Sequence, residues 1–326
     1  MPSSFFTREQ RLIHTIGRLL PGGADALSDD TFSDAESRLM YTADMLVEGR
    51  HFDWRWFSPF DLGWKAAAVN FSDIAATGGE PQYLLVSLAL PEHRADTGFV
   101  TGLYEGLMAC CKRYGGQIIG GDTVSAPLVV INVTATGRLP QGHTAGRRHA
   151  AQPGDVIVTT GFHGLSAAGL LSFQKNKTGF ESARQHHLRP EPRVAEGLFL
   201  SKHFTRYALI DSSDGLADAL LRMAHASGTD IRLQSDRLPV ASELAVCPDA
   251  HDLMLYGGED FELIAAIPEG VVSTTALADH GLTVIGRVEA PHAAEPHVIL
   301  IDAQGQPLET LAFNKTYAHF EETVSP

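Results

Sequence analysis

The chain has 326 residues, 44% of them hydrophobic, so it is long enough to bury the core of one large domain or of two ordinary ones. Its 25 Lys and Arg residues against 39 Asp and Glu residues give a net charge of −14, which disfavours binding to nucleic acid or to an anionic membrane. The three cysteines form no CxxC pair, and no apolar run approaches the ~18 residues of a membrane span, so we expect a cytoplasmic protein with reduced thiols.

The first part of the chain alternates helical and strand patterns. Thr7 and Gln10 form a capping-box pattern before a helix that ends near Leu19, and Ser58-Pro59 opens an alanine-rich helix. The alternation predicts an α/β unit. Its further elements are predicted as strands at 39–43, 82–90 and 127–137, a helix at 95–114, and a short strand at 117–119 that leads into GGDT.

A segment rich in Gly, Pro and basic residues at 138–155 indicates a connection to a second unit. We place the boundary at residue 140, which gives an N-terminal domain of residues 1–140 and a C-terminal domain of residues 141–326. The second unit is again mixed α/β. It is predicted to contain strands at 155–160, 206–211, 261–267 and 282–288 and helices at 165–173 and 216–226.

Acidic clusters recur beside small or turn-forming residues. One such cluster is readily explained as a turn or a helix cap. Glycine next to carboxylates at the ends of apolar strands favours something else: close approach of the backbone to a ligand, and oxygen ligands for a hard cation. Together the clusters predict a multi-metal phosphate site. They are SDD (28–30), TAD (42–44), NFSD (70–73), GGDT (120–123), DSSDG (211–215) and GGED (257–260).

Asp73 is informative because it falls inside a helix with an otherwise apolar background. A lone charge there costs several kcal/mol unless it is paired or bound to a metal. The alternative to a metal is a buried ion pair with Lys65 or Arg55. Other phosphate-binding patterns are missing, since the chain has no GxxxxGK[ST] loop, and the GxxGxxxxG that follows the strand at 155–160 is not the dinucleotide motif GxGxxG.

Taken in order, TADMLVEGRHF, LGWKAAAVNFSDIAATGGEP, IIGGDT, DSSDGLADAL and YGGEDFELI resemble thiamine-monophosphate kinase. That family belongs to the superfamily of aminoimidazole ribonucleotide synthetase and selenophosphate synthetase. The resemblance implies two α/β domains, a homodimer whose N-terminal sheets form a barrel, and Mg²⁺-dependent transfer of the γ-phosphoryl of ATP to thiamine monophosphate. It is also compatible with a requirement for a monovalent cation.

The resemblance also implies residue roles. Metal ligands would be Asp29, Asp30, Asp44, Asp73, Asp122, Asp211 and Asp214. Nucleotide contacts would be Gly121, Asp122, Arg148 and Ser213, and catalysis would rest on Asp122, Asp214 and Arg148. Thiamine monophosphate would contact His51, Glu259 and Tyr317, with the two glycines of GGED letting the loop pass close to it. Because the acceptor phosphate is ionised at neutral pH, we expect direct in-line transfer without a general base.

The sequence departs from the family pattern at three of these places. Ser28 replaces a glycine before Asp29, Ala43 replaces a Ser or Thr that helps to hold metal, and Tyr317 replaces a tryptophan. These departures keep two alternatives open. One is another ATP-dependent enzyme of the superfamily with a different small acceptor, and the other is a nucleotide-binding relative that has lost activity.

Overall fold

The computed structural model describes residues 8–20 and 29–316, and in these ranges no helix is long and apolar enough to cross a membrane. The helices are α1 (Arg8–Leu19), α2 (Pro59–Ala75), α3 (Thr97–Tyr114), α4 (Leu165–Gln174), α5 (Glu181–Leu188), α6 (Val194–His203), α7 (Leu216–Ser227), α8 (Ser242–Ala245), α9 (Ala250–Tyr256) and α10 (Thr274–Asp279). The strands are β1 (Phe32–Asp34), β2 (Leu39–Val47), β3 (Glu80–Leu90), β4 (Gln117–Ser125), β5 (Val130–Arg138), β6 (Val156–Thr160), β7 (Ala208–Asp211), β8 (Asp230–Gln234), β9 (Leu263–Ile267), β10 (Leu282–Glu289), β11 (Val298–Ile301) and β12 (Pro307–Thr310).

The first five strands form one sheet in the order β1-β2-β5-β3-β4. Neighbouring strands are antiparallel except β3 and β4, which are parallel. Helices α2 and α3 cover one face, where Leu84, Leu107 and Ile131 are fully buried. Because successive strand residues point to opposite faces, the other face carries a second set of side chains. Several large apolar side chains there are exposed: Phe32, Tyr41, Met45, Tyr83, Leu85, Ile119 and Val124.

Two glycines allow α2 and α3 to pack with their backbones in close approach. A Cβ added at Gly63 of α2 would lie 1.9 Å from the carbonyl oxygen of Leu103, and one added at Gly106 of α3 would lie 2.0 Å from that of Phe60. Both distances are far inside van der Waals contact. The start of α2 is fixed by the predicted Ser58 cap, which forms a capping box with Asp61.

The other seven strands form a second sheet in the order β12-β11-β8-β10-β6-β9-β7. Apolar clusters lie on both faces, one shared with α4, α7 and α9 and the other with α6, α10 and the end of α2. At that end, a Cβ added at Gly197 of α6 would lie 2.3 Å from the carbonyl oxygen of Ala75. Helix α2 therefore packs against both sheets.

The predicted two mixed α/β units are confirmed, and two local predictions are corrected. Strand β2 continues to Val47 instead of ending at Ala43, and GGDT lies inside β4 instead of in a turn after it. The reason in both cases is a neighbouring strand, because β5 pairs with β2 over its full length and β3 pairs with β4 through Ser125. A domain boundary at residue 140, between the two sheets, remains our proposal.

Replacing Gly106 by alanine is expected to lower the free energy of unfolding by about 2 kcal/mol, because the added methyl group forces α2 and α3 apart. Urea denaturation of both proteins measures the difference. Gly98→Ala in the same helix is the control, since its Cβ would meet only the Asp96 side chain, at 3.2 Å. Equal losses in the two variants would show that the helix crossing does not depend on Gly106.

Candidate functional site

Three carboxylates from distant parts of the chain meet between the two sheets. Asp30 precedes β1, Asp73 lies near the end of α2, and Asp211 ends β7. One oxygen atom from each lies within 4.8 Å of the others. Three acidic oxygens so close together are a suitable ligand set for a divalent cation that prefers oxygen.

The pKa values of these groups show how poorly the protein alone neutralises them. Burial, and then the charge of Asp30, raises the pKa of Asp44 to about 6. Burial, and then the charge of Asp30, raises the pKa of Asp211 to about 8. Burial, and then the charges of Asp44 and Asp211, raises the pKa of Asp73 as well. The site therefore holds more acidic groups than it can ionise without added positive charge.

Neutral side chains hold the carboxylates in place. The Thr42 hydroxyl donates to Asp73, and the Ser72 hydroxyl donates to Asp211 Oδ2 at 2.5 Å. The alternative of a buried ion pair at Asp73 is wrong, because Lys65 pairs with Glu259 and Arg55 pairs with Asp53. Asp73 thus keeps an acidic oxygen for a ligand.

Arg148 brings positive charge to the edge of the cluster. Its Nη2 lies 2.5 Å from Asp30 Oδ1, and its backbone N–H donates to Asp29 Oδ1 at 2.7 Å. Arg147 Nη1 also donates to Asp29, at 3.3 Å. The Nε of Arg148 is buried and has no hydrogen-bond partner among the described residues. A buried unsatisfied donor of this kind suits an anionic ligand such as a phosphate.

A cleft of about 380 Å³ lies beside the carboxylates. Asp44 lines the cleft and lies close enough to Asp73 for its charge to add to the effect of burial in raising the pKa of that carboxyl, so a molecule in the cleft would lie next to the acidic cluster. The walls also contain apolar surface from Leu46, Val69 and Leu170. Of the predicted site residues, His51, Ser213, Asp214 and Glu259 line this cleft together with Asp44.

The two carboxylates of GGED lie in different surroundings. Glu259 lies in the cleft wall, whereas the fully buried Asp260 accepts from the backbone N–H groups of Gly164 and Ser166 at the start of α4. The glycines are explained by the protein itself. A Cβ at Gly257 would lie 2.4 Å from the Leu253 carbonyl oxygen, and one at Gly258 would lie 2.8 Å from the Ser213 carbonyl oxygen.

Asp122 and Gly121 lie away from this site in the single chain. Asp122 is exposed on β4 and pairs with Ser87. Three strand spacings separate β4 from β2, which carries Asp44, and at ~4.8 Å each they amount to about 14 Å. A Cβ at Gly121 would lie 1.8 Å from the Val86 carbonyl oxygen, so strand packing requires that glycine.

Three further positions were singled out in the sequence because they depart from the family pattern. Ala43 is exposed on the sheet face opposite the α2 side and pairs with Thr134. Ser28 and Tyr317 lie outside the described residues. Sequence reasoning missed the contacts of Ser72 and considered Lys65 only as a partner for Asp73. A signal was present at both, since each is a polar residue within an almost wholly apolar helix.

Both halves of the chain match known family models. Residues 25–139 match the AIR synthase related protein N-terminal domain, and residues 152–299 match the AIR synthase related protein C-terminal domain. Fold and acidic cleft therefore define a protein of the AIR synthase related class. Structures of the hydrogenase maturation protein HypE share this fold, with 20% identity and a TM-score of 0.70 in one case.

Proteins of higher sequence identity show which family of this class the chain belongs to. Thiamine-monophosphate kinase of Bacillus subtilis is 42% identical over 232 residues, covering 69% of this chain and 70% of that protein. The Synechococcus elongatus enzyme is 34% identical over 299 residues, covering 88% of each. The chain belongs to the thiamine-monophosphate kinase family. The structure of AaThiL complexed with AMPPCP and TMP superimposes with a TM-score of 0.79 at 30% identity, covering 93% of this chain and 96% of that one.

Replacing Asp211 by asparagine tests whether the cluster holds more carboxylates than it can ionise without a cation. In the folded protein Asp211 ionises near pH 8 instead of at its ordinary 3.8, so its contribution to stability is lost as pH rises through this range. Without metal, the stability of Asp211→Asn relative to the wild type is expected to increase as pH rises from 5 to 8, by on the order of 4 kcal/mol.

Chemical denaturation in EDTA at several pH values measures this gain. Asp236→Asn, at an exposed position, is the control for the loss of an aspartate outside the cluster. A constant difference for Asp211→Asn would mean that Asp211 titrates normally and that the cluster is not short of positive charge.

Proposed function

We propose that the protein phosphorylates thiamine monophosphate to thiamine diphosphate with ATP. The observation that carries this proposal is the acidic cluster of Asp30, Asp73 and Asp211 beside a cleft of small-molecule size. A relative of 30% identity and the same fold is known as a complex with AMPPCP and TMP. The three cysteines, all free thiols, support the proposed cytoplasmic location.

Mg²⁺ fits the cluster, because the raised pKa values indicate acidic oxygens that lack positive charge. Asp30, Asp44, Asp73 and Asp211 would hold it, and Asp214 faces the same cleft. When bound, Mg²⁺ neutralises phosphate charge and so reduces the repulsion between two anionic substrates. Asp29 has a different part, since both of its oxygens accept hydrogen bonds from Arg147 and Arg148.

The chain's own residues then bind and orient the substrates. An ionised oxygen of the acceptor phosphate forms a bond to the γ-phosphorus of ATP as the bond to the β,γ-bridging oxygen breaks, and ADP leaves with that electron pair. No proton has to be removed. The free Nε of Arg148 is placed to donate to a phosphate oxygen, and Ser213 offers a hydroxyl in the cleft wall. Glu259 would face the cationic ring of the thiamine acceptor.

We further propose a homodimer that completes the site. The uncovered face of the N-terminal sheet carries a band of exposed apolar side chains, among them Tyr83, Leu85 and Val124, as expected for an interface with a second copy. Asp122 is on the strand at the edge of this face, beyond reach of its own cluster. A partner copy could bring its Asp122 to the cluster, which would reconcile the predicted role of this residue with its position.

An end-point assay tests the activity. Purified protein is incubated with ATP and thiamine monophosphate, and thiamine products are oxidised to fluorescent thiochromes and separated by chromatography. We expect thiamine diphosphate to form only from the monophosphate and only with Mg²⁺, with free thiamine as the parallel acceptor. ATP binding without any diphosphate would favour the alternatives, a different acceptor or a loss of activity.

Asp122→Asn removes the charge while keeping the shape, and we expect turnover to fall by orders of magnitude with an unchanged melting curve. Asp73→Asn should be inactive too. Mixing the two variants under conditions that exchange subunits should restore about a quarter of wild-type activity, because half of randomly formed dimers are mixed and each has one intact shared site. Near-normal turnover of Asp122→Asn would remove this residue from the site, and no recovery on mixing would place the two residues in one chain's site.

A further inference from the structure

Lys65 is fully buried in the middle of α2, yet its ammonium contacts two residues of the cleft wall. Its Nζ lies 2.9 Å from Glu259 Oε1 and donates to the backbone carbonyl of His51 at 3.1 Å. The ammonium also lies 5.2 Å from the centre of the Phe57 ring. Lys65 is absent from the cleft lining itself, whereas His51 and Glu259 both belong to it.

The loop that carries Glu259 has an unfavourable backbone shape. Glu259 and Phe261 adopt positive φ angles of 67° and 54°, a backbone region that residues other than glycine rarely occupy. Such a shape persists only where surrounding contacts hold it. The Glu259 N–H donates to the Ser213 carbonyl at 2.7 Å, and the Phe261 N–H donates to that of Ser212 at 3.3 Å. The Lys65 ion pair is the contact that ties the loop to the N-terminal domain through the Glu259 side chain.

We propose that Lys65 is a positioning residue for the acceptor: it fixes the Glu259 carboxylate and the His51 backbone on the two walls of the cleft. The proposal rests on the proposed function, because thiamine monophosphate is the molecule that these walls would contact. Lys65 occupies one Glu259 oxygen and leaves the other, Oε2, which lies 3.5 Å from His187 Nδ1.

Charge supports this arrangement. Burial alone would raise the pKa of Glu259, but the charge of Lys65 and its hydrogen bond to the carboxylate oppose burial, so the pKa is lowered and the carboxylate stays ionised. Burial, and then the nearby Lys65, lowers the pKa of His187 to about 4, so this imidazole is neutral near pH 7. The buried Lys65 ammonium thus keeps the Glu259 carboxylate ionised and holds it in one position in the cleft wall.

Steady-state kinetics of Lys65→Met test the proposal. We expect the KM for thiamine monophosphate to rise about tenfold or more, because a carboxylate displaced by about 1 Å loses its contact. The KM for ATP should change by less than about twofold. Adding Lys65→Met to Glu259→Gln should raise the KM for thiamine monophosphate much less than adding it to the wild type, because the two residues act through one contact. The surface variant Lys112→Met, in α3, should match the wild type.

Hydrogen exchange gives a second readout that does not depend on activity. In Lys65→Met the amides of Glu259 and Phe261 should exchange faster, while those of β5 stay unchanged. If Lys65→Met does not fold, Lys65→Gln replaces it, since glutamine keeps a donor for the His51 carbonyl and removes the charge. An unchanged acceptor KM, an equal rise in the KM for ATP, or full additivity with Glu259→Gln would overturn the proposal.

A wild type that does not phosphorylate thiamine monophosphate would instead contradict the proposed function. Hydrogen exchange of Lys65→Met then decides whether Lys65 fixes the loop. Faster exchange confined to residues 257–262 would support this role, and exchange equal to that of the wild type would rule it out.

Discussion

The site depends on the buried helix α2, whose polar and charged side chains contact groups of the other domain. Helix α2 packs against α3 on one side and against the second sheet's layer at its end, so nearly all of its residues are buried. Polar side chains in such a helix need partners from outside it. Lys65 finds Glu259 and Ser72 finds Asp211, both from the C-terminal sheet region. Asp73 accepts a hydrogen bond from the Thr42 hydroxyl, but within residues 8–20 and 29–316 no cationic side chain pairs with it, and this imbalance defines the site.

The imbalance extends to the residues around Asp73. Asp30, Asp44 and Asp211 all have raised pKa values, although Arg148 forms an ion pair with Asp30 and its charge also acts on Asp211. A protein that needed these groups for stability alone would gain by replacing some of them with neutral residues, since each buried charge costs free energy. The retention of several such groups beside a cleft points to a ligand that brings cations, and nucleotides bring them routinely.

Local sequence patterns predicted the longer elements of the first unit, because caps, glycines and apolar periodicity act over a few residues. In the second unit they missed strands β8, β11 and β12 and helices α5, α6, α8, α9 and α10. Ser58 caps α2 as predicted, and of the two explanations offered for Asp73 the ion pair is excluded, because Lys65 pairs with Glu259 and Arg55 with Asp53. Pairings between distant residues were out of reach. Nothing within α2 indicates that Lys65 meets Glu259, 194 positions further along the chain.

Strand order was the other limit. GGDT was expected to end a strand because glycines interrupt the apolar run, but parallel pairing with β3 extends β4 through it. The same order places Asp122 at the sheet edge, three strands from Asp44, which no spacing in the sequence could reveal. The two glycines of GGED were assigned to a ligand, whereas their missing side chains make room for Leu253 and Ser213.

We propose that the carboxylates between the two sheets bind divalent cations together with the nucleotide. Electron paramagnetic resonance of Mn²⁺, used in place of Mg²⁺, measures this directly in the presence of AMPPCP. The account predicts that wild-type protein depletes the free Mn²⁺ signal and that folded Asp73→Asn does so far less. Equal Mn²⁺ binding by the two proteins would contradict the assignment of the metal to this cluster.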